Sequence, residues 1–270
     1  RDEPEASLVL HNVFKQAGIA LHLQSEPFRI SATGREIHVD FRTAGADRPS
    51  QRVLCDELLV ATGRRPNTSG LGLEGLGIQM DHGAICVDAY GRTSHSNIWA
   101  IGDCTGGMQF THMAESEGRS VLTSLLLPGP FKKKLHRTKD VPRCTFTDPE
   151  VGSLGWTEAE AVAQLGAHRI ATYQLSFDKL DRAITDGRTE GFIKVVTKKW
   201  SSKILGATVV GPAAGELIGE LSTAMHCGIP LRKLASVIHA YPTYSLAIRK
   251  VADMWLTQTI LPSLKKLIGF

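Results

Sequence analysis

At Pro128-Gly129-Pro130 the rhythm of the sequence changes, and this break constrains the fold more than any other feature. Two prolines flanking a glycine end any helix that reaches them. The basic run that follows, Lys132 to Lys134 with His136 and Arg137, suits a solvated linker extending to about residue 140. Before the break, apolar runs end on glycine corners. After it, strands come first and helices follow. A chain of 270 residues is long enough for about two domains, and the break is where they divide.

The first part opens with a helical pattern in Ala6, Leu8, Val9, Val13 and Phe14, stopped by Gly18. Extended segments are expected at 20–23, 28–32 and 37–42, and a turn at 43–50. Glu57 to Ala61 reads as a buried strand ending at Thr62-Gly63. A loop-rich stretch at 64–97 holds a short strand at 84–87. Ile98 to Ile101 is a second apolar strand, running into Gly102-Asp103, and Thr111 to Leu126 reads as a helix.

In the second part, strands are expected at 143–146, 169–176, 191–198 and 203–210, the last two joined as a hairpin by Lys199 to Ser202. Thr157 and Glu160 have capping-box spacing, and Gly166 closes their helix. A helix over 213–227 puts Leu217, Ile218, Leu221, Ala224 and Met225 on one face. Pro230 opens a short helix, and Thr243 is placed to cap a last one reaching about residue 259. Strands first and helices after is an α+β layout, with helices over one face of an antiparallel sheet.

A net charge of +4 on this length is too small to argue for nucleic acid. The five cysteines, Cys55, Cys86, Cys104, Cys144 and Cys227, lie too far apart for a C-x-x-C pair or a zinc set. Their odd number and lack of a framework suit a reducing compartment, so a cytoplasmic protein is expected. No segment approaches the roughly 18 apolar residues of a membrane span. Arg1-Asp-Glu-Pro-Glu5 has no signal-peptide stretch and no starting Met, which points to a cut piece.

Four motifs carry possible chemistry. Ile101-Gly102-Asp103 ends a strand where backbone can approach a ligand, and the carboxylate suits sugar hydroxyls. As a bare motif it fits a turn or cap aspartate better. Ala61 to Pro66 offers Gly63 for close approach and Arg64 and Arg65 for phosphates, or is a basic surface turn. The helix start from Thr111 and His112 presents free amides and a positive dipole end to an electron-rich group, or His112 is an ordinary first-turn residue. In Ile238 to Ser245, Pro242 holds Tyr241 extended near His239; Tyr241 and Tyr244 are equally readable as packed aromatics.

The order of these motifs is more telling than any one. Val60-Ala-Thr-Gly-Arg-Arg-Pro-Asn67, Ser96 to Asp103, His112 to Gly118, Phe146-Thr-Asp-Pro-Glu150, Gly155-Trp-Thr-Glu158 and His239-Ala-Tyr-Pro-Thr243 closely resemble the pyridine nucleotide–disulfide oxidoreductase family. The resemblance covers nearly the whole chain and leans to the mercuric-reductase-like branch through Leu180 to Ala183, Gly191 to Lys194 and Tyr241. It implies an α/β plus α+β protein. Residues 1–56 would close a NAD(P)-binding domain, 57–128 would be a returning FAD-binding segment, and 141–270 would form the interface domain of a homodimer. FAD and NAD(P)H would be the cofactors. Asp103 with Gly102 would hold the FAD ribityl chain, Gln109, Phe110, Thr111 and His112 would lie along the flavin, and Gly63 would lie near the nicotinamide. Tyr241, with His239 nearby, would reach the partner subunit's site. No metal site is implied.

The departures also matter. The family's FAD glycine loop with its Gly-x-Gly-x-x-Gly string, its redox-active Cys-x-x-x-x-Cys and its second glycine loop are all expected to be absent from this chain. The chain alone would then be inactive, because the reaction belongs to the flavin and the dithiol. A scaffold or dimerisation piece is the rival reading, and a transhydrogenase or oxidase parent a third. Disulfide-reducing members carry His before the Pro-Thr and a Glu five residues later; here those positions are Tyr241 and Leu246. A histidine, with a pKa of about 6.5, exchanges protons at neutral pH, and a tyrosine near about 10 mostly does not. Leu256 to Phe270 has no cysteine pair of the kind that hands over mercury.

Overall fold

The structure is a computed structural model that describes residues 2–44, 51–135 and 140–268, with side chains to 265. Most of the expected turn at 43–50, together with His136, Arg137 and the final residues, lies outside the described set. Two compact units emerge, Gln24–Arg137 and, from both ends of the chain, Arg1–Leu23 with Thr138–Phe270.

Helix α1 (Pro4–Gln16) starts with proline in its first turn, where the missing N–H costs nothing, and carries Glu5 at its positive end and Lys15 at its negative end. Ala6, Val9 and Leu10 pack against Val151, Phe192 and Val210. The helix therefore belongs to the unit that contains the second part of the chain.

In the unit Gln24–Arg137, β1 (Ser25–Thr33), β2 (Glu36–Thr43) and β3 (Gln51–Cys55) form an antiparallel meander. Asp40 and Arg52 pair directly across β2 and β3, with a hydrogen bond of 2.6 Å. A small hairpin of β4 (Met80–Asp81) and β5 (Ala84–Ile85) turns at His82-Gly83, both left-handed, the combination a two-residue hairpin loop requires. Ile78, Ile85 and Ala100 make its small core, flanked by Val87, Ile98 and Cys104. Helix α2 (Thr111–Leu126) has the expected bounds.

Three expected extended segments do not form ladders, and the first, Ala20 to Leu23, runs as loop and turn ahead of β1. Glu57 to Ala61 joins no sheet among the described residues, and Leu59 is 89% exposed. Ile98 to Ile101 makes only an isolated bridge, Trp99 with Arg92. An apolar run becomes a strand only where neighbouring backbone pairs with it in a continuous ladder; none is described beside 57–61, and 98–101 has only the short segment 91–93, through the Thr93 amide to the Ile98 carbonyl and the Ala100 amide to the Gly91 carbonyl. Gly70-Leu-Gly-Leu-Glu-Gly75 does have the Gly-x-Gly-x-x-Gly spacing, contrary to the expectation that no such string is present. Its last two residues lie within the three-residue turn Glu74–Leu76, and no strand leads directly into it, so it is not a strand–loop–helix phosphate cradle.

After the break, β6 (Arg143–Thr145), β7 (Glu150–Gly155), β8 (Ile170–Ser176), β9 (Phe192–Lys198) and β10 (Ile204–Gly211) form one antiparallel sheet in the order β6-β7-β10-β9-β8. The intervening helices are α3 (Glu158–Leu165), with the expected Thr157–Glu160 capping box, and α4 (Asp181–Thr185). α5 (Ala214–His226), α6 (Leu231–Leu234) and α7 (Leu246–Met254) follow. Leu217, Ile218 and Leu221 of α5 and Ile248 and Val251 of α7 seal one core with Leu154, Ile193 and Val209. This is the expected α+β layer.

The sequence pattern misses β7. Its Gly152 is the reason: a Cβ there would stand 2.7 Å from the carbonyl oxygen of Ala214, so glycine lets α5 press onto the sheet. The same glycine removes the strand signal. The last helix also differs. Ser245, not Thr243, precedes α7. After Met254 the ladder widens into a π turn over Trp255–Ile260, and α8 (Leu261–Ile268) follows. Pro262 lacks an N–H and crowds the carbonyl four residues back, which accounts for the irregular turn ahead of it.

Candidate functional site

The first cluster lies in the unit Gln24–Arg137 and centres on Gly102-Asp103. Gly102 has φ +70°, and a Cβ there would lie 2.7 Å from the Cβ of Ala114. Only glycine allows this corner to sit against α2. The corner is also pinned from the helix: the buried carboxylate of Glu117 accepts the amide of Gly102 at 2.7 Å. Thr105 donates its hydroxyl to the Gly102 carbonyl at 2.9 Å. Asp103 keeps its carboxylate about half exposed.

Arg64 ties the second motif to the first. Its Nη1 donates to the carbonyl of Gln109 at 2.6 Å and stands 3.8 Å from Oδ2 of Asp103. The sequence alone leaves Arg64 as either a phosphate contact or part of a basic surface turn; in the structure it braces the segment leading into α2. Phe110, the N-cap residue, provides no side-chain cap, so the helix start offers its amides and positive dipole end. The Phe110 and His112 rings stack at 5.2 Å and 9°. Gly63 has φ +145° with nothing within 4 Å of its would-be Cβ. A cavity of about 530 Å³ adjoins the cluster, lined by Arg64, Asp81, His82, Ala84, Thr105 and Gln109 among others.

Gly102, Asp103 and Gln109 are thus brought together, with Phe110, Thr111 and His112 at the adjoining helix start. A fixed carboxylate acceptor, a glycine corner and an uncapped helix start fit a ribityl chain and an electron-rich ring. Glu117 was not singled out from the sequence. Its signal is a glutamate on the inward face of α2, directly before Gly118, whose own missing Cβ admits Ile101.

The second cluster lies in the other unit. Tyr241 is 71% exposed. The His239 side chain, 5% exposed, is turned inward: Nε2 is 3.0 Å from Oε1 of Glu220, and Nδ1 is 3.1 Å from the carbonyl oxygen of Val237. Leu246, at the family's glutamate position, is buried. Tyr244 donates its hydroxyl to Asp186 at 3.1 Å. Burial, reinforced by the neighbouring Asp186 carboxylate, pushes the Tyr244 phenol up; the Arg182 hydrogen bond holds Asp186 below the usual aspartate value. Among the described residues there is no group of three metal-ligating side chains, and no helix is long and apolar enough to cross a membrane.

The fold is that of the flavoprotein disulfide reductases. The HOCl-induced flavoprotein disulfide reductase RclA from Escherichia coli superposes with a TM-score of 0.84 at 29% identity, over 94% of this chain and 56% of that one. LpdA from Mycobacterium tuberculosis superposes with a TM-score of 0.83 at 29% identity, over 94% and 53%.

The chain belongs to the pyridine nucleotide–disulphide oxidoreductase family: the family's profile matches residues 2–118 and its dimerisation-domain profile residues 141–252. A dihydrolipoyl dehydrogenase from Corynebacterium glutamicum is 31% identical over 93% of this chain and 53% of its own length. A mercuric reductase from Streptomyces lividans is 33% identical over 94% and 52%. The chain spans about half the length of the curated relatives it matches.

Proposed function

We propose that this chain serves as part of a homodimeric, FAD-dependent NAD(P)H oxidoreductase. The observation that carries the reading is the Asp103 corner, pinned by Glu117 and braced by Arg64 beside the uncapped start of α2. Bound FAD would supply the two-electron chemistry between NAD(P)H and an acceptor dithiol. Asp103 would accept hydrogen bonds from the ribityl hydroxyls. The amides at Thr111 and His112 would face the ring carbonyls, with Gln109 and Phe110 alongside, and Gly63 would leave room for the nicotinamide. Residues 1–56 would close the NAD(P) domain, 57–128 would return to the FAD domain, 129–140 would link, and 141–270 would carry the subunit interface. Exposed Tyr241 would act at the partner subunit's site as a neutral hydrogen-bond donor or as a neighbour of a soft metal ion. RclA has also been solved as a Cu(II) complex, which favours including metal ions among the acceptors to try.

The test is anaerobic titration of the complete protein with NADH and with NADPH, followed by oxidised lipoamide, Hg(II) or Cu(II). Bleaching of a bound flavin by either nucleotide supports the reading. A complete protein whose flavin neither nucleotide reduces defeats it. A second reading is a dimerisation scaffold without activity of its own, favoured by the match of the dimerisation-domain profile to residues 141–252. A flavin absorption band from the purified 270-residue chain would defeat that second reading.

A further inference from the structure

The corner His239 to Ser245 is tied at both ends and open in the middle. At one end, the inward-facing His239 ring spans from Oε1 of Glu220 on α5, at 3.0 Å, to the Val237 carbonyl, at 3.1 Å. At the other end, the Tyr244 ring lies 5.8 Å from Phe177, and its hydroxyl donates to Oδ2 of Asp186. Asp186 is itself held by Nε of Arg182 at 2.8 Å. Inside the corner, Thr243 donates to the carbonyl of Ala240 at 2.6 Å and meets the Ser245 hydroxyl at 3.0 Å. Between the two anchors stands Tyr241, largely in solvent.

We propose that Glu220 and Asp186 are positioning residues that act through His239 and Tyr244 to fix the direction in which Tyr241 is presented. Neither carboxylate touches Tyr241. Each holds a residue two or three positions from Tyr241 along the corner, Glu220 from within α5 and Asp186 from just past the end of α4. An exposed tyrosine on a slack loop would lose backbone freedom on each engagement; on a corner anchored at both ends that backbone part of the cost has already been met. His239, a catalytic candidate on sequence alone, becomes a strut in this arrangement, since both of its ring nitrogens are engaged. The proposal rests on the reading that Tyr241 is the group offered to a second copy of the chain.

The chain has four tyrosines, Tyr90, Tyr173, Tyr241 and Tyr244, so 3-fluorotyrosine labelling of the full chain gives four fluorine resonances. Tyr241→Phe assigns the one that matters, and Tyr173, buried in the core, serves as the internal control. In the unsubstituted chain the Tyr241 resonance should be as broad as overall tumbling dictates. In Glu220→Ala it should narrow severalfold and move toward the shift of free fluorotyrosine, with Tyr173 unmoved. Glu220→Gln keeps an oxygen facing His239 and should restore the line. Tyr244→Phe keeps the ring on Phe177 and drops the Asp186 bond; it should release Tyr241 in the same way. A Tyr241 line unchanged in both Glu220→Ala and Tyr244→Phe overturns the proposal, as does a Tyr173 line that shifts along with it. Separately, Tyr241→Phe in the complete dimer with unimpaired acceptor reduction would sink the reading of Tyr241 itself and would leave the fluorine result standing on its own.

Discussion

The carboxylate of Glu117 accepts the backbone amide of Gly102 at 2.7 Å, from inside the helix that packs behind the corner. Fifteen residues separate the two in sequence. The bond fixes the angle at which Asp103 leaves the scaffold, so a residue that touches no ligand sets the geometry of one that would.

Glu117→Ala should leave the buried Gly102 amide without its acceptor. An unsatisfied buried donor costs about 1–3 kcal/mol, and thermal melting of the chain should register that loss. Glu117→Gln keeps an oxygen for the same amide and should recover much of it.

Gly102→Ala should be worse than Gly63→Ala for the folded chain. Both positions lie at positive φ, but only Gly102 would also drive its Cβ to within 2.7 Å of Ala114. Left-handed backbone alone costs about 1–2 kcal/mol for an alanine. Paired melting curves should place Gly102→Ala below Gly63→Ala, whose would-be Cβ meets open space.

Lys194 is buried in the sheet and meets Glu3, Glu5 and Glu158 at 3.1, 2.8 and 2.9 Å. It fastens α1 to its unit. Lys194→Ala would leave Glu3, also buried, as an uncompensated charge, at a cost of about 3–5 kcal/mol by the precedent of broken buried pairs. Denaturant unfolding should show the loss. Lys194→Ala together with Glu3→Gln should recover part of it.

The same cluster predicts a stability plateau in pH. Burial opposes the charged form of Glu5, but its hydrogen bond from Lys194 prevails and holds the carboxyl below its usual 4.5. Burial likewise opposes the Lys194 charge, and the bonds to Glu5, Glu158 and Glu3 prevail, holding it above its usual 10.5. A depressed carboxyl stabilises above its unfolded pKa and loses that contribution as pH falls through the folded value. A raised ammonium stabilises below its unfolded pKa and loses that contribution as pH rises through the folded value. Melting temperature should therefore fall on acidification below 4.5 and on alkalinisation above 10.5. Lys194→Met should blunt both edges.

Features set by local pattern were legible in the sequence. The bounds of α2 are legible because a glycine turn precedes it and Pro128 stops the chain just beyond Leu126. The Thr157–Glu160 box was read because both its bonds are local. What escaped depends on distant partners. β7 is a strand despite its glycines because α5 and its neighbours enclose it. The apolar run at 57–61 has the composition of a strand and no ladder among the described residues. In the site, the Gly102-Asp103 corner and the helix start were visible as motifs. Glu117 and Glu220 were not, because a glutamate's role as an acceptor is decided by which amide or imidazole the fold brings to it. His239 was visible as a residue but not in its orientation.

The most direct test of the account is the flavin content of the complete protein, compared between the native sequence and Asp103→Ala at equal folding and dimer content. The account predicts stoichiometric FAD in the native protein and loss of most of it in Asp103→Ala. A native protein without flavin, or an Asp103→Ala protein that retains as much as the native one, would contradict it.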